Sequence, residues 1–440
     1  MKHETKTPIK SEIVREKIAA SGIKDFGRAS IRELVRLVYD IEAASGDKFI
    51  RMEMGVPGLA PPEIGIEAQV AALRQGVASK YSMIDGLPQL KKEASRFAKL
   101  FLNVDIKPES CVPTVGSMQG GFVTFMVANR NNHNRKGTLF IDPGFPVQKQ
   151  QCHALGHEYE SFDVYHYRGE KLRDKLESYL QTEQVSSILY SNPNNPTWIC
   201  LTEEELRIIG ELSQKYDVTV IEDLAYFGMD FRHDYSRPGE PPYQPTVAHY
   251  TDNYVLMLST SKAFSYAGER LGLLLISDAL FKRRYPDLLR YYDSDQFGHA
   301  LIYGALYTLS SGTGHSAQYA VAAMLKAVND GEFNFVEQVK EYQERAQVMK
   351  KLMLDNGFRI VYDKDDGHDI ADGFYFTFAY PGFSAGDLVE ELLYYGISAI
   401  SLEITGSEHH DGLRACVSQF SLEMEEVLKE RLERFHADHR

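Results

Sequence analysis

The chain has 440 residues, of which 43% are hydrophobic, enough for one large domain and a smaller companion at roughly 100–200 residues per domain. Lysine and arginine number 48 against 62 aspartate and glutamate, a formal charge of −14, which opposes binding to a nucleic-acid phosphate backbone. The opening MKHETKTPIKSEIVREK is charged throughout, and no apolar run reaches the roughly 18 residues a membrane helix needs, so a cytoplasmic protein bound to neither nucleic acid nor membrane is expected.

In chain order, a helix is expected from about Ser30 to Ala44, then a short strand in FIRMEMGVPGLAPPE that runs into a Gly/Pro-rich loop. EIGIEAQVAALRQ and LPQLKKEASRFAKLF carry apolar residues at helical spacing. The short apolar runs CVPTV, TLFID, SSILYS, VTVIED, YVLMLST and LGLLLIS then alternate with helices. That alternation predicts an α/β fold with a mostly parallel sheet covered on both faces. From about residue 316 the pattern changes to long helices, in AQYAVAAMLKAVND and FVEQVKEYQERAQVMKKLMLDNG, followed by strands in GFYFTFAYP and RACVSQF. The expected division is a large domain over 63–315, and a smaller α+β domain formed by 1–62, which carries an N-terminal arm, and 316–440. SRPGEPPYQP, residues 236 to 245, reads as a surface loop. The four cysteines, Cys111, Cys152, Cys200 and Cys416, lie far apart with no C-x-x-C pair, a pattern of neither a zinc site nor a disulfide framework.

In open α/β sheets ligands bind beyond the carboxyl ends of the strands, and four such ends hold reactive or hydrogen-bonding residues. CVPTVGSMQGGF runs into Gly116, Ser117 and Met118 before a helix, where free N–H groups favour a phosphate; an ordinary turn with an N-cap serine is the alternative. SSILYSNPNNPTW carries two Asn-Pro pairs that would present Asn192 and Asn195 in fixed directions, or merely form a turn. VTVIEDLAYFGMDF places Asp223 and Tyr226 after an apolar run; a carboxylate at that depth needs a cationic partner. YVLMLSTSKAF delivers Ser259 and Lys262, and a desolvated lysine can become available for imine formation. Each feature is common alone, whereas their succession at neighbouring strand ends is not.

These residues resemble a known family. The stretch STSKAFSYAGERLG, with NNPT and the Asp223 to Tyr226 segment DLAY, is similar to the class I/II aminotransferases, the fold type I pyridoxal 5′-phosphate enzymes, from about residue 30 to the end. The resemblance implies that Lys262 forms the imine with the cofactor aldehyde and, once displaced, carries the proton. Asp223 would pair with the pyridine nitrogen, which makes the ring an electron sink. Asn195 and Tyr226 would hydrogen-bond its phenolic oxygen. Gly116, Ser117, Met118, Ser259 and Arg270 would hold the phosphate, for which a guanidinium fork is well shaped. Phe145 would stack on the ring. Arg414 would grip the substrate α-carboxylate and Gly55 would belong to the loop that closes over the site. Tyr81 matches a tyrosine that reaches the neighbouring subunit's phosphate, so a homodimer with shared sites is implied.

The sequence departs from the family pattern where Trp198, its only tryptophan, follows Thr197 in place of the usual glycine. The adjacent His409 and His410 sit in a polar SEHHDG turn and read as solvated loop residues, with no metal expected. Amino-group transfer between an amino acid and a 2-oxo acid is the leading reading. β-Elimination, decarboxylation or cyclisation on the same scaffold is the second, and a non-catalytic effector-binding protein the third. YYDSDQFGHALIY, residues 291 to 303, holds no arginine where the family's dicarboxylate enzymes carry a second one. That absence, with Tyr291, Tyr292, Phe297 and Trp198, predicts a preference for aromatic or bulky apolar donors. Those aromatics could equally belong to a core or a subunit interface.

Overall fold

A computed structural model describes residues 7–440, so the charged opening MKHETK lies outside them. The chain divides into two compact units. The first comprises the described residues up to Gly58, then Asn195–Ile199 and Lys340–Arg440, and the second comprises Leu59–Asn194 and Cys200–Val339.

The second unit is built on a seven-stranded sheet. Its strands are β1 (Cys111–Val115), β2 (Gly137–Asp142), β3 (Glu158–Asp163), β4 (Val185–Ser191), β5 (Thr219–Leu224), β6 (Tyr254–Ser259) and β7 (Leu271–Ile276). Spatial order is β1-β7-β6-β5-β4-β2-β3. β7 alone runs against its neighbours β1 and β6, and the other pairings are parallel. β5, β6 and β7 are buried along their whole length, the mark of a sheet covered on both faces. The sequence pattern misses β3, because EYESFD exposes its first three residues and so lacks a continuous apolar run.

Helix His315–Asn329 belongs to this unit, beyond the boundary expected at residue 315. It packs its alanine-rich face, with Val321, Met324, Leu325 and Val328 buried, against the helices Glu63–Arg74 and Pro88–Phe97. Gln318 accepts from the Leu87 amide at 2.7 Å, and Asn329 donates to the Glu93 carbonyl at 3.0 Å. The long helix expected from residue 335 is two, Phe335–Val339 and Glu341–Asp355.

The first unit holds a four-stranded antiparallel sheet in which Leu413–Cys416 lies between Ile400–Ser401 and Tyr375–Ala379. A short parallel pair, Ile50–Arg51 with Ile397–Ser398, stands beside it. Helix Ile31–Ser45 is closed at its start by a reciprocal Ser30–Glu33 capping box and ends at Gly46 in the left-handed region. Among the described residues no helix is long and apolar enough to cross a membrane.

Candidate active site

The parallel register puts the carboxyl ends of the central strands along one edge of the second unit's sheet. Asp223 on β5 is opposite Ser191 on β4 and Met257 on β6, while Ser259 on β6 is opposite Gly272 on β7. Asn192 donates its amide to the Asp223 carbonyl at 3.1 Å, so β4 and β5 stay joined up to the point where their side chains diverge.

Lys262 rides on a single helical turn, Thr260–Ala263, just past β6. That turn is fixed at both ends. Ser259 caps it by accepting from the Ser261 amide at 3.2 Å, and the Thr260 hydroxyl donates to the Leu271 carbonyl of β7 at 2.7 Å. The lysine is half-buried.

Helix Gly116–Ala128 follows β1 directly and no side chain caps its start. Its first amides are therefore open to an anion. Gly116 has φ +67°, a conformation other residues resist, and a Cβ there would lie 2.5 Å from Arg270 Nη2. The guanidinium of Arg270 thus lies over the helix start, held by its bond to the Ala267 carbonyl at 2.7 Å. Gly272 lets the backbone of Ser117 approach β7, since a Cβ there would meet its nitrogen at 2.7 Å. Ser117 is inside the helix rather than at its cap, because the helix begins at Gly116 itself.

Ser117, Met118, Gly121, Phe145, Val147, Gln148, Gln151 and Asp223 line a small cavity above this edge. Asp223 is buried there and accepts from Gln148 Nε2 at 2.8 Å and from the Ala225 amide at 3.1 Å. No ion pair reaches it among the described residues, and burial, only partly offset by Gln148 and Ala225, pushes its carboxyl up to about 6. The sequence predicts a cation beside Asp223, and among the described residues the second unit supplies none. Gln148 is not among the predicted residues; its signal is its place one helical turn after Phe145, on Pro146–Ala154. Tyr226 is buried in the turn after β5.

The first unit gathers Gly55, Asn195 and Arg414 around Tyr375. Arg414 is only 1% exposed, on an interior strand of the four-stranded sheet. Its Nη1 donates to Asn195 Oδ1 at 3.2 Å and its Nη2 to the Glu53 carbonyl at 2.7 Å. Its Nε has no hydrogen-bond partner among the described residues, and no carboxylate pairs with the guanidinium there. The ring of Tyr375 lies under it, 4.6 Å from Cζ to centroid. A Cβ at Gly55 would meet the Tyr375 hydroxyl at 2.1 Å.

Trp198, where the family pattern has glycine, has a left-handed backbone, with φ +68°. A bulky side chain in that region costs about 1–2 kcal/mol, so burial of the indole must offset it. Tyr81 stands apart in the second unit and is 89% exposed. Phe297 lies in the hydrophobic core. Tyr292 donates to the Met126 carbonyl at 2.9 Å, and exposed Tyr291 packs under Arg130. These three rings are thereby accounted for within the second unit. His409 packs edge-on against Tyr362, and among the described residues no group of three or more His, Cys, Asp or Glu could hold a metal.

The model of the aminotransferase class I and II family matches residues 47–420. This chain belongs to that family. It is 24% identical over 363 residues to the probable aspartate aminotransferase of Methanocaldococcus jannaschii, a match covering 76% of this chain and 88% of that one. It is 28% identical over 235 residues to the glutamate–pyruvate aminotransferase of Escherichia coli, covering 52% and 54% of the two chains. The solved alanine aminotransferase from Pyrococcus furiosus has the same fold, with TM-score 0.75 at 20% identity over 94% of this chain and 100% of that one. The aminotransferase is thus a transaminase that depends on pyridoxal 5′-phosphate.

The residues present fit that cofactor. Asp223 is a buried carboxylate with no cation beside it among the described residues, as a protonated ring nitrogen requires. The uncapped helix start at Gly116 under Arg270 suits a phosphate, and Phe145 in the cavity wall offers a ring face.

Proposed function

We propose that this aminotransferase takes its amino group from a monocarboxylate amino acid with an aromatic or bulky apolar side chain and passes it to a 2-oxo acid, in the cytoplasm and as a homodimer with shared sites. Bound pyridoxal phosphate supplies the electron sink that makes the α-carbon acidic. Lys262 anchors the cofactor and moves the proton at that carbon, from a helical turn pinned to β7. Asp223 holds the ring nitrogen protonated, with Gln148 fixing its carboxylate. Asn195 and Tyr226 serve the phenolic oxygen, and Phe145 covers the ring. Gly116, Ser117, Met118, Ser259 and Arg270 bind the phosphate, joined by Tyr81 of the second copy. Arg414 binds the α-carboxylate, next to the Gly55 loop.

The observation that carries this reading is the pair of uncompensated buried charges. Among the described residues Asp223 has no cation and Arg414 no carboxylate; each would be costly in a finished core, and each matches one charge of the cofactor–substrate pair. The monocarboxylate preference is supported by the fate of the arginines flanking residues 291 to 303. Arg284 is taken by Asp295 at 2.6 Å and Arg290 by Asp287 at 3.3 Å. The bulky apolar preference is supported by Tyr375, whose ring face lies 4.6 Å from the Arg414 guanidinium and is backed by Trp198 at 6.3 Å.

Specificity constants for a panel of amino donors test the reading, with the 2-oxo acid product measured. Phenylalanine, tyrosine or leucine should outperform aspartate. Aspartate as the best donor overturns the preference, and ammonia release without 2-oxo acid exchange would favour a lyase.

A further inference from the structure

The substitution of tryptophan for glycine at residue 198 has a consequence for Arg414. Trp198 is fully buried and occupies the space over Gly373: a Cβ at Gly373 would lie 2.0 Å from its Cε2 and 2.2 Å from its Nε1. The two residues are therefore complementary, the largest side chain seated on the smallest. Two residues on, at the start of the strand Tyr375–Ala379, the ring of Tyr375 meets the indole edge-on, with centroids 6.3 Å apart and planes at 67°. The tip of the ring is seated against Gly55, where a Cβ would lie 2.1 Å from the Tyr375 hydroxyl. Its face carries the Arg414 guanidinium at 4.6 Å.

We infer that Trp198 is a positioning residue for substrate binding: by wedging between Gly373 and Tyr375 it fixes the aromatic platform under Arg414, and so sets where the substrate carboxylate is held. The inference rests on the reading of Arg414 as the carboxylate-binding group. A guanidinium bonded to the protein through Nη1 and Nη2, with its Nε unpartnered, has its plane defined by those bonds and by the ring beneath it. With the ring free to tilt, the remaining N–H directions are no longer fixed, and bidentate recognition of a planar carboxylate depends on that plane. Because Trp198 acts through Tyr375 on binding and touches no reacting group, its loss should fall on substrate affinity rather than on the chemical step.

The experiment compares the holoenzyme of Trp198→Phe, Trp198→Gly, Tyr375→Leu and Arg414→Lys with the natural protein. Three quantities are read: KM and kcat for the amino donor, the inhibition constant of 3-phenylpropionate as an amine-free carboxylate probe, and the dissociation constant of pyridoxal phosphate. Trp198→Gly and Tyr375→Leu should each raise KM and the inhibition constant roughly ten-fold or more while kcat changes by less than about three-fold. Cofactor affinity should be unaltered, and Trp198→Phe, which keeps an aromatic wedge, should recover most of the loss. Should Trp198→Gly fail to fold, Trp198→Leu, which fills part of the space without an aromatic ring, takes its place with the same roughly ten-fold rise expected, and an unchanged KM and inhibition constant there overturn the inference. Arg414→Lys with raised constants, beside Trp198 and Tyr375 variants with unchanged ones, overturns the inference alone. Unchanged constants in Arg414→Lys overturn the carboxylate assignment and the inference with it. A fall in kcat and cofactor affinity at constant KM in the Trp198 variants also overturns it.

Discussion

Gln148 donates its side-chain amide to Asp223 at 2.8 Å, and among the described residues no cation pairs with that carboxylate. A neutral donor stabilises the ionised form without neutralising it, so the carboxylate remains able to accept a positively charged ring nitrogen. Asp223→Asn should therefore bind cofactor yet lose about a hundred-fold or more in kcat. In ligand-free protein the same carboxyl, raised by burial from 3.8 to about 6, binds its proton more tightly folded than unfolded. Stability should then fall as pH rises from about 4 to about 6, by up to about 3 kcal/mol from this group. Denaturant unfolding across that window should show a shallower decline in Asp223→Asn.

Glu222 precedes Asp223 on β5 and is fully buried. It accepts from Val247 N at 3.1 Å and from the Thr246 hydroxyl, yet burial pushes it from 4.5 up to about 7. Ionising it in the folded state costs stability that accrues between those values as pH rises. Glu222→Gln keeps an acceptor oxygen and removes the charge. It should raise the unfolding free energy at pH 8 by roughly 1–3 kcal/mol and have little effect at pH 4. Chemical denaturation at the two pH values measures the difference.

Lys262→Ala should abolish turnover while leaving the fold intact, because the side chain extends from a turn whose anchoring bonds belong to Ser259 and Thr260. Borohydride reduction followed by peptide mass mapping should find the cofactor on Lys262 in the natural protein and on no lysine in the variant. A trapped adduct elsewhere would displace the assignment.

Trp198 is the only tryptophan and is fully buried. Emission of the native protein should therefore be that of an indole in an apolar environment and should shift to longer wavelength on unfolding. That shift should track loss of the first unit, to which residues 195–199 belong. A solvent-exposed emission from folded protein would contradict the packing on Gly373.

Tyr81, at 89% exposed, is far barer than a tyrosine usually is on a monomer surface, in keeping with a contact to a second copy. Sedimentation at working concentration should give a dimer, and Tyr81→Phe should weaken cofactor binding. A fully active monomer would refute the shared site.

The α/β layering and the strand ends were legible in the local pattern of the chain. Apolar runs such as VTVIED and YVLMLST can be buried only in a covered sheet, and Asp223 and Lys262 follow those runs directly. The helix start near Ser30 is likewise local, since the capping box that closes it joins Ser30 to Glu33. Features that depend on partners distant in the chain had no such local signal. β3 owes its place to pairing with β2 rather than to its own polar run, and helix His315–Asn329 joins the second unit through the helices it covers. Gln148 meets Asp223 across 75 residues of chain. Trp198, read in sequence as an interruption of a pattern, acquires its meaning only from Gly373 and Tyr375, some 175 residues on, because complementarity of volume is a property of packing and has no local signal.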